Sequence, residues 1–421
     1  MAQSGHVPVP IAIVEKPGAE PEQVGDGAAL WVKPRTEITP EEYTNFYRSV
    51  AGQFDEPALT VHYRAEGRHE YTVLAFVPGA KPFDLFDRAG RIKLYVKRVF
   101  ITDEAEILPR YLRFIRGLVD SADLPLNVSR EMIQESPILA AIKKGVTSRV
   151  LSELEKLSRD NAEAYDKVWD AFGPVLKEGL YEDVERRGQL LGLARFKTTA
   201  SAAGWRSIKD YVGSLKENQT AIYYATGTDL ARLETSPQLE GFRARGIEVL
   251  LLPDAVDSFW VTAGIDYEGK PFKSVTQGAA DLALIPLLEP KSDGDAKVDE
   301  GVARFIAAAK ATLGEQVSDV RASERLTESA VCIVAPESGL DRQLERILAR
   351  AGQAGSAAKP ILELNPDHDL ILALASETEP ELLDDAAHLL LDEARILDGE
   401  LPADARAFSQ RLARVMRRGL R

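Results

Sequence analysis

Cysteine and long apolar runs are almost missing from this sequence, and both shortages exclude classes of protein. The one cysteine, Cys332, lies in the apolar run Val331–Val334, so it behaves as a small hydrophobe and cannot close an intramolecular disulfide. No apolar run approaches the roughly 18 residues of a membrane-spanning helix. The N-terminal residues also lack the basic and apolar parts of a signal peptide. We therefore expect a cytoplasmic protein that neither spans a membrane nor is exported.

Positive charge is in short supply as well. The chain carries 52 Lys and Arg against 66 Asp and Glu, a net charge of -14 over 421 residues. Proteins that bind along nucleic acid neutralise its phosphates with Lys and Arg, so nucleic acid is not an expected partner. The composition of 45% apolar and 28% charged residues is typical of ordinary globular proteins. The length predicts roughly two to four domains.

Sequence motifs for catalysis are also missing. No G-x-G-x-x-G occurs, and Gly352–Lys359 only loosely resembles a phosphate-binding loop, because Ala357 and Ala358 occupy the positions of its second glycine and its lysine. The five histidines show no spacing typical of a metal site. Acidic stretches such as Asp103–Glu106 are interpreted as solvated surface. We expect this chain alone to hold no metal and no cofactor.

Hydrophobic periodicity predicts a multidomain fold with α/β and α+β parts. Strands are predicted at 58–63, 71–77 and 92–101, and an apolar stripe from Tyr111 to Val119 predicts a helix after them. Thr39 and Glu42 are spaced as a capping box, which predicts a helix start at Pro40, and Ser136 and Pro137 predict the start of a long amphipathic helix. A strand, a helix and a strand at 221–225, 228–239 and 247–252 predict parallel pairing through a right-handed crossover. Near the end, two short strands are predicted at 317–320 and 330–334, and helices at 302–311, 341–351, 366–375, 380–397 and 403–419.

Changes in composition along the chain indicate the domain organisation. Stretches rich in Pro, Gly and charge, with no apolar period, indicate linkers because they have nothing to bury. The predicted segments are a leader or linker at 1–27, a middle domain at 28–288 with a large part at about 28–200 and a small α/β part at about 201–288, a linker at 289–300, and a C-terminal dimerisation domain at 301–421.

One stretch is more specific than any spacing rule. Tyr111–Gln134, which reads YLRFIRGLVDSADLPLNVSREMIQ, resembles the middle-domain signature of the 90-kilodalton heat-shock chaperone family, bacterial HtpG type. The resemblance continues through Lys93–Ile101, Phe172–Gly179, Gly246–Leu251 and Glu363–Pro366. It covers the chain from about Ala28 almost to the end. The implied architecture is a middle domain and a C-terminal domain, with the N-terminal ATPase domain missing and residues 1–27 a relic of its end.

The resemblance implies a role for the loop that contains Arg130. In this family an arginine of the S-R-E-M segment contacts the γ-phosphate of ATP, and the matching position is Arg130, with Gln134 as a helper. A guanidinium can offset the charge that develops during phosphoryl transfer. ATP and Mg would belong to the full-length family protein, so we do not expect this chain alone to hydrolyse ATP. The alternative is that Arg130 only pairs with nearby carboxylates such as Asp123 or Glu131.

The resemblance also implies binding of unfolded client proteins. The candidate contacts are Phe259 and Trp260, because two adjacent aromatics in an extended segment cannot both face one core. The alternative is that both rings pack under the following loop. The expected function is therefore that of a chaperone module. A dimeric scaffold without client activity and an unrelated stand-alone α/β enzyme remain as alternatives.

The last helices make the physical case for a homodimer. Apolar residues of the predicted helix at 380–397 cover more than one helical face, which is more surface than one intramolecular seam needs. Two such helices from each subunit would form a four-helix contact. The alternative is a monomer whose terminal helices fold over the small strands. The candidate interface residues are Leu390, Leu391, Ile396, Leu397, Phe408, Leu412 and Val415.

Overall fold

The computed structural model describes residues 11–14, 20, 22–25, 29–81, 92–124, 136–201, 204–277, 282–289, 299–336, 339–352 and 358–420. The chain divides into two compact units, Met1–Arg195 and Phe196–Arg421. The strands are β1 (Ile11–Ile13), β2 (Glu22–Gly25), β3 (Pro57–Ala65), β4 (Tyr71–Pro78), β5 (Lys93–Val96), β6 (Val99–Thr102), β7 (Arg116–Ser121), β8 (Arg195–Thr198), β9 (Arg206–Ser207), β10 (Ile222–Thr226), β11 (Leu250–Leu252), β12 (Asp266–Tyr267), β13 (Lys270–Ser274), β14 (Asp319–Ala322), β15 (Val331–Val334) and β16 (Ile361–Leu364).

The helices follow the caps that the sequence supplies. Thr39 and Glu42 form the predicted capping box at the first helix, and Ser136 caps the second. The helices are α1 (Pro40–Ala51), α2 (Pro137–Asp160), α3 (Ala162–Glu182), α4 (Arg187–Leu193), α5 (Ile208–Gly213), α6 (Leu230–Glu234), α7 (Glu240–Arg243), α8 (Asp257–Trp260), α9 (Glu300–Leu313), α10 (Arg342–Arg350), α11 (Asp369–Ser376), α12 (Pro380–Leu397) and α13 (Ala405–Gly419).

The first unit is built on a mixed sheet with the strand order β3-β4-β7-β5-β6. β7 pairs antiparallel with β4 and parallel with β5, so it is a central strand. An aromatic cluster that includes Tyr47 of α1, Trp31 and Phe76 packs beside Leu118 of β7. The indole N–H of Trp31 donates to Asp120 at 2.9 Å, which satisfies a buried carboxylate on β7.

The central position of β7 corrects one prediction from the sequence. The stripe from Tyr111 to Val119 predicted a helix, but only Arg110–Leu112 forms a short 3-10 turn and Arg116–Ser121 is a strand. Gly117–Ser121 are all buried, so the strand shows no alternation of polar and apolar residues that would distinguish it from a helix. The single strand predicted at 92–101 is also wrong, because positive φ angles at Lys97 and Arg98 turn it into the hairpin β5–β6.

Gly117 shows how closely β7 approaches its neighbour. Its φ is +143°, and a Cβ at this position would lie 2.2 Å from the carbonyl oxygen of Leu74 and 2.6 Å from Cα of Ala75, both on β4. Only a residue without a side chain permits this backbone contact. The ladder between the two central strands therefore depends on glycine at this position.

The second unit contains two sheets with separate apolar cores. The first has the order β12-β13-β10-β11-β8-β9, and β10 pairs in parallel with β11, as the sequence predicted. The second has the order β14-β16-β15, where β16 pairs in parallel with β14 and antiparallel with β15. Phe242 and Tyr223 lie in the core of the first sheet, whereas Phe305 of α9 and Leu391 of α12 lie in the core of the second.

The observed architecture confirms the predicted fold class, a multidomain protein with α/β and α+β parts. The central strand β16 was missed, because its sequence Ile-Leu-Glu-Leu places a charged residue in the middle of a short apolar run. The segment boundaries at residues 27, 200, 288 and 300 remain predictions. The expected linker at 289–300 falls largely on residues 290–298, outside the described residues.

Candidate functional site

The candidate catalytic residues Arg130 and Gln134 are not among the residues that the structure describes. Both residues belong to 125–135, outside the described residues. The described residues on either side of 125–135 are Leu124, which is buried, and Ser136, the cap of α2. Asp123, one carboxylate proposed to pair with Arg130, accepts a hydrogen bond from the backbone N–H of Glu70 at 2.7 Å. The role of Arg130 therefore stays a prediction.

The aromatic pair at the candidate client surface separates into one buried and one exposed ring. The segment is a helical turn, α8, and not an extended chain, in which adjacent side chains point to opposite sides. Trp260 is 0% exposed, its indole N–H donates to Asp257 at 2.7 Å, and its ring lies against Phe196 and Phe272. Phe259 is 38% exposed. The structure therefore removes Trp260 from the candidate client surface, because a fully buried indole cannot touch a client, and leaves Phe259.

Sequence reasoning missed the exposed aromatic residues of the first unit, of which Phe54 is the most exposed among the described residues. Phe54 is 93% exposed in the loop between α1 and β3. Its neighbours are hydrogen-bonded: the hydroxyl of Tyr47 lies 2.7 Å from Oε1 of Gln53 and 2.8 Å from Oδ1 of Asp55 and shares its proton between these acceptors, and the other oxygen of Asp55 accepts from the backbone N–H of Gly79. An aromatic ring between polar turn residues was the available signal. The loop presents a large apolar side chain on a rigid base, which lowers the entropy cost of a contact.

Two of the predicted dimer residues belong to the core of their own chain. Leu390 and Leu391 on α12 are 3% and 1% exposed and pack in the same core as Phe305 of α9 and Val331 of β15. They are therefore withdrawn from the candidate interface, because α9 and the small sheet cover them within one subunit. Ile396 and Leu397, one turn later, are 45% and 42% exposed and stay candidates.

The last helix, α13, has no buried residue. Leu412 is exposed, and Phe408 and Val415 are half-buried, so the three predicted residues on this helix remain accessible to a partner. Met416 and Leu420 are also exposed. These side chains recur at helical spacing and form one apolar stripe. We call the exposed residues Leu412, Met416 and Leu420, together with Ile396 and Leu397 of α12, the terminal stripe.

Charge pairs hold α13 against α12 on a different face. Arg414 donates through two nitrogens to the carboxylate of Asp385, and Arg411 lies 3.8 Å from it. Arg418 donates to Glu379 at 2.5 Å, so the end of α13 meets the start of α12 and the helices run antiparallel. The hydrogen bond from Arg414 holds the pKa of Asp385 below its usual value. These ion pairs join α13 to α12 through arginine side chains, and the terminal stripe lies on a different face of α13 and is exposed to solvent.

Comparison with known proteins decides the family. A family model described as Hsp90 protein matches residues 12–421, nearly the whole chain. The chain belongs to the Hsp90 family. This confirms the resemblance drawn from Tyr111–Gln134 and from the segments that follow it.

Bacterial members of the Hsp90 family are the similar relatives. The chain is 70% identical to the chaperone protein HtpG of Azorhizobium caulinodans, with 99% of the chain and 67% of that protein aligned. It is 67% identical to the HtpG of Mesorhizobium japonicum and 65% identical to that of Rhizobium meliloti, in both cases over 100% of the chain and 67% of the relative. The chain thus spans about two thirds of the length of these relatives.

The described residues of this Hsp90-family chain show neither a metal-binding arrangement nor a membrane-spanning helix. No group of three or more His, Cys, Asp or Glu among the described residues is arranged to hold a metal ion. Asp367–Asp369, which the sequence indicated as a helix start, precedes and begins α11, where the ring of His368 accepts from the N–H of Leu370. None of the helices in the described ranges is long and apolar enough to cross a membrane.

Proposed function

We propose that this chain is the client-binding, dimer-forming part of a cytoplasmic HtpG-type chaperone. The observation that carries the proposal is α13, a helix of 15 residues without a buried side chain and with the terminal stripe open to solvent. Exposed apolar stripes of this kind mark protein contacts. Two copies of this helix pair would pack as an isologous contact of four helices, in which each copy covers the terminal stripe of the other.

The dimer is tested by placing charge in the terminal stripe. In L412E combined with M416E, two carboxylates would be buried at the proposed contact, so we expect sedimentation to show monomer at micromolar concentration where the parent chain is dimeric. The matched control is V184E, an exposed valine in the turn before α4 of the first unit, which should leave the dimer intact. A parent chain that sediments as a monomer at this concentration would contradict the proposal.

Client binding is assigned to the exposed aromatics Phe259 and Phe54. Large apolar rings held on ordered backbone supply contact area at low entropic cost, which suits unfolded segments of varied sequence. We expect F259S to weaken suppression of aggregation of a chemically unfolded protein, and F259S with F54S to weaken it further. V184S removes an exposed aliphatic group as a control and should have no effect. If the double variant suppresses aggregation as well as the parent, the chain is a dimeric scaffold and not a client binder.

For the whole protein we propose ATP hydrolysis in which Arg130 contacts the γ-phosphate and Gln134 assists, with Mg bound alongside the nucleotide. The similarity to HtpG proteins supports this, and a guanidinium at that place would stabilise the charge of the transferring phosphoryl group. The test is ATPase activity of the chain extended by the remaining third of a relative's length. We expect R130A to lower kcat by about 100-fold or more. An unchanged kcat would remove Arg130 from the mechanism. The similarity leaves no support for an unrelated stand-alone enzyme.

A further inference from the structure

The turn between α12 and α13 is closed by its own backbone. Asp398 is the C-cap of α12, Gly399 has a φ of +89°, and the N–H of Glu400 donates to the carbonyl of Arg395 at 2.8 Å. The N–H of Gly399 donates to Ile396 at 3.0 Å. These bonds form a Schellman motif, which fixes the direction in which the chain leaves a helix. The turn therefore sets where α13, and with it the terminal stripe, begins.

The side chain of Asp398 ties this turn to two other elements. Nε of Arg342, the first residue of α10, donates to one carboxylate oxygen at 2.9 Å, and the other oxygen accepts from the amide of Gln238 at 3.3 Å. Gln238 lies in the 3-10 turn Pro237–Leu239, and its amide also donates to the carbonyl of Ile333 on β15 at 2.7 Å. Arg342 also donates to Glu400 at 2.6 Å, and Arg346 donates to the carbonyl of Asp398. The turn is thus held from both α10 and the α/β segment.

Because these charged groups are buried, their stability depends on keeping the geometry of the ion pair. The side chains of Arg342 and Asp398 are 7% and 11% exposed, so their charges are largely removed from water. A buried pair is stable only while its geometry is kept, because either charge left alone is strongly unfavourable. A shift of α10 would therefore move the turn with it and not simply stretch the ion pair.

α10 also lies next to the candidate client surface. α10 contacts α8, the turn that carries Phe259. Asp341, the N-cap of α10, accepts from the hydroxyls of Thr226 on β10 and Ser274 on β13 at 2.6 and 2.7 Å. The helix is therefore anchored at its start to the six-stranded sheet. α10 is thus in contact both with the turn that carries Phe259 and with the turn at Asp398–Glu400 that leads to α13.

We infer that Asp398 is a positioning residue through which client binding near Phe259 strengthens the dimer contact of the terminal stripe. This rests on the proposed function. A client bound at α8 restrains α8 and α10 together. Once α10 is restrained, the Arg342–Asp398 pair restrains the turn and α13, so less motional freedom is lost when two terminal stripes meet. Coupling of this kind is reciprocal, so dimer formation strengthens client binding by the same factor.

The experiment measures the dimer dissociation constant of the full chain by sedimentation, with and without saturating reduced and carboxymethylated α-lactalbumin as a permanently unfolded probe. We expect the probe to lower the dissociation constant of the parent dimer at least about fivefold. In D398N the negative charge opposite Arg342 is lost, and an amide nitrogen cannot accept from both Arg342 and Gln238 as the carboxylate does. The factor should therefore fall toward one while the variant still dimerises and still binds the probe. E328Q, an exposed carboxylate in a loop of the same unit, should keep the parent factor.

Each outcome separates the inference from the proposed function. Equal coupling in D398N and the parent, or no coupling in a parent that both dimerises and binds the probe, overturns the inference alone. A parent that does not dimerise or does not bind the probe overturns the proposed function, and the inference with it. If D398N does not fold, R342K replaces it: lysine keeps the charge but cannot reach Asp398 and Glu400 together, so the coupling factor should still fall.

Discussion

Glu363 is a carboxylate at the centre of the small sheet, and its removal should loosen that sheet as a whole. It lies on β16 and is 2% exposed. One oxygen accepts from Nε and Nη2 of Arg321 at 3.1 and 2.7 Å, and the other accepts from the hydroxyl of Ser323 at 2.9 Å and Nε of Arg325 at 3.0 Å. Arg321 is its partner in register on β14. The substitution considered is E363Q, which keeps the shape and removes the charge.

The size of the effect follows from what E363Q leaves behind. The guanidinium of Arg325 is 1% exposed, and without the carboxylate its charge is buried and uncompensated, which costs about 3–5 kcal/mol. Arg321 adds little, because its side chain is 39% exposed and water screens it. The glutamine oxygen still accepts a hydrogen bond, so we expect a loss near the lower limit, about 3 kcal/mol.

Hydrogen exchange read by mass spectrometry tests this locally, which suits a chain with several cores. A loss of about 3 kcal/mol should speed exchange of the β14, β15 and β16 amides about 100-fold, with the first unit unchanged. E363L with R325L replaces both charges by apolar groups and should recover most of the loss. E315Q, at the exposed pair with Lys359, should show no measurable change. Exchange in E363Q within threefold of the parent, or a double variant as loose as E363Q, would refute the reasoning.

Three further outcomes are expected. In G117A the new Cβ would lie 2.2 Å from the carbonyl oxygen of Leu74, so thermal unfolding should show that the first unit loses about 3 kcal/mol of stability. In G188A the new Cβ in α4 meets open space, so the stability should rise by about 0.5 kcal/mol or more. Equal stabilities of the two variants would contradict the close approach at Gly117. E240Q should lower the unfolding free energy of the second unit by about 2 kcal/mol in urea, because the buried carboxylate accepts from the N–H groups of residues 327, 328 and 329 and an amide nitrogen cannot accept. A change below about 0.5 kcal/mol would rule out this role of Glu240. The folded pKa of Asp385 is lowered, so its pairing stabilises the α12–α13 contact above the unfolded pKa of about 3.9 and loses that effect as the pH falls through the folded value. Hydrogen exchange of the α13 amides in the parent should therefore accelerate as the pH falls below about 3.9. D385N should lack this acid-dependent acceleration.

Helices could be predicted where a cap and a helical period coincide. Ser136 and Thr39 each start a helix at the expected residue, because the capping hydrogen bond is local in sequence. β7 could not be predicted, because burial on both faces removes the period. β16 was missed because the burial of Glu363 depends on Arg321 and Arg325, about forty residues earlier in the chain.

The candidate site was predictable to the level of the segment but not of the side chain. The sequence indicated the region of Phe259, yet only the helical turn and the Asp257 acceptor decide that Trp260 points inward. It also indicated the terminal helices, but which leucines face their own subunit depends on where α9 and β15 lie. Phe54 had no apolar pattern around it, and its exposure follows from hydrogen bonds to residues as distant as Gly79.

The order of strands in the small sheet has a consequence for how the chain is made. β16 lies between β14 and β15 but leaves the ribosome after both of them. A nascent chain that ends before Ile361 therefore carries β14 and β15 without the strand with which each of them pairs. During synthesis their unpaired edges and the apolar side chains of β15 are open to association with other chains. On this topology, the second unit of a chaperone is itself exposed to misfolding until its last quarter has been translated.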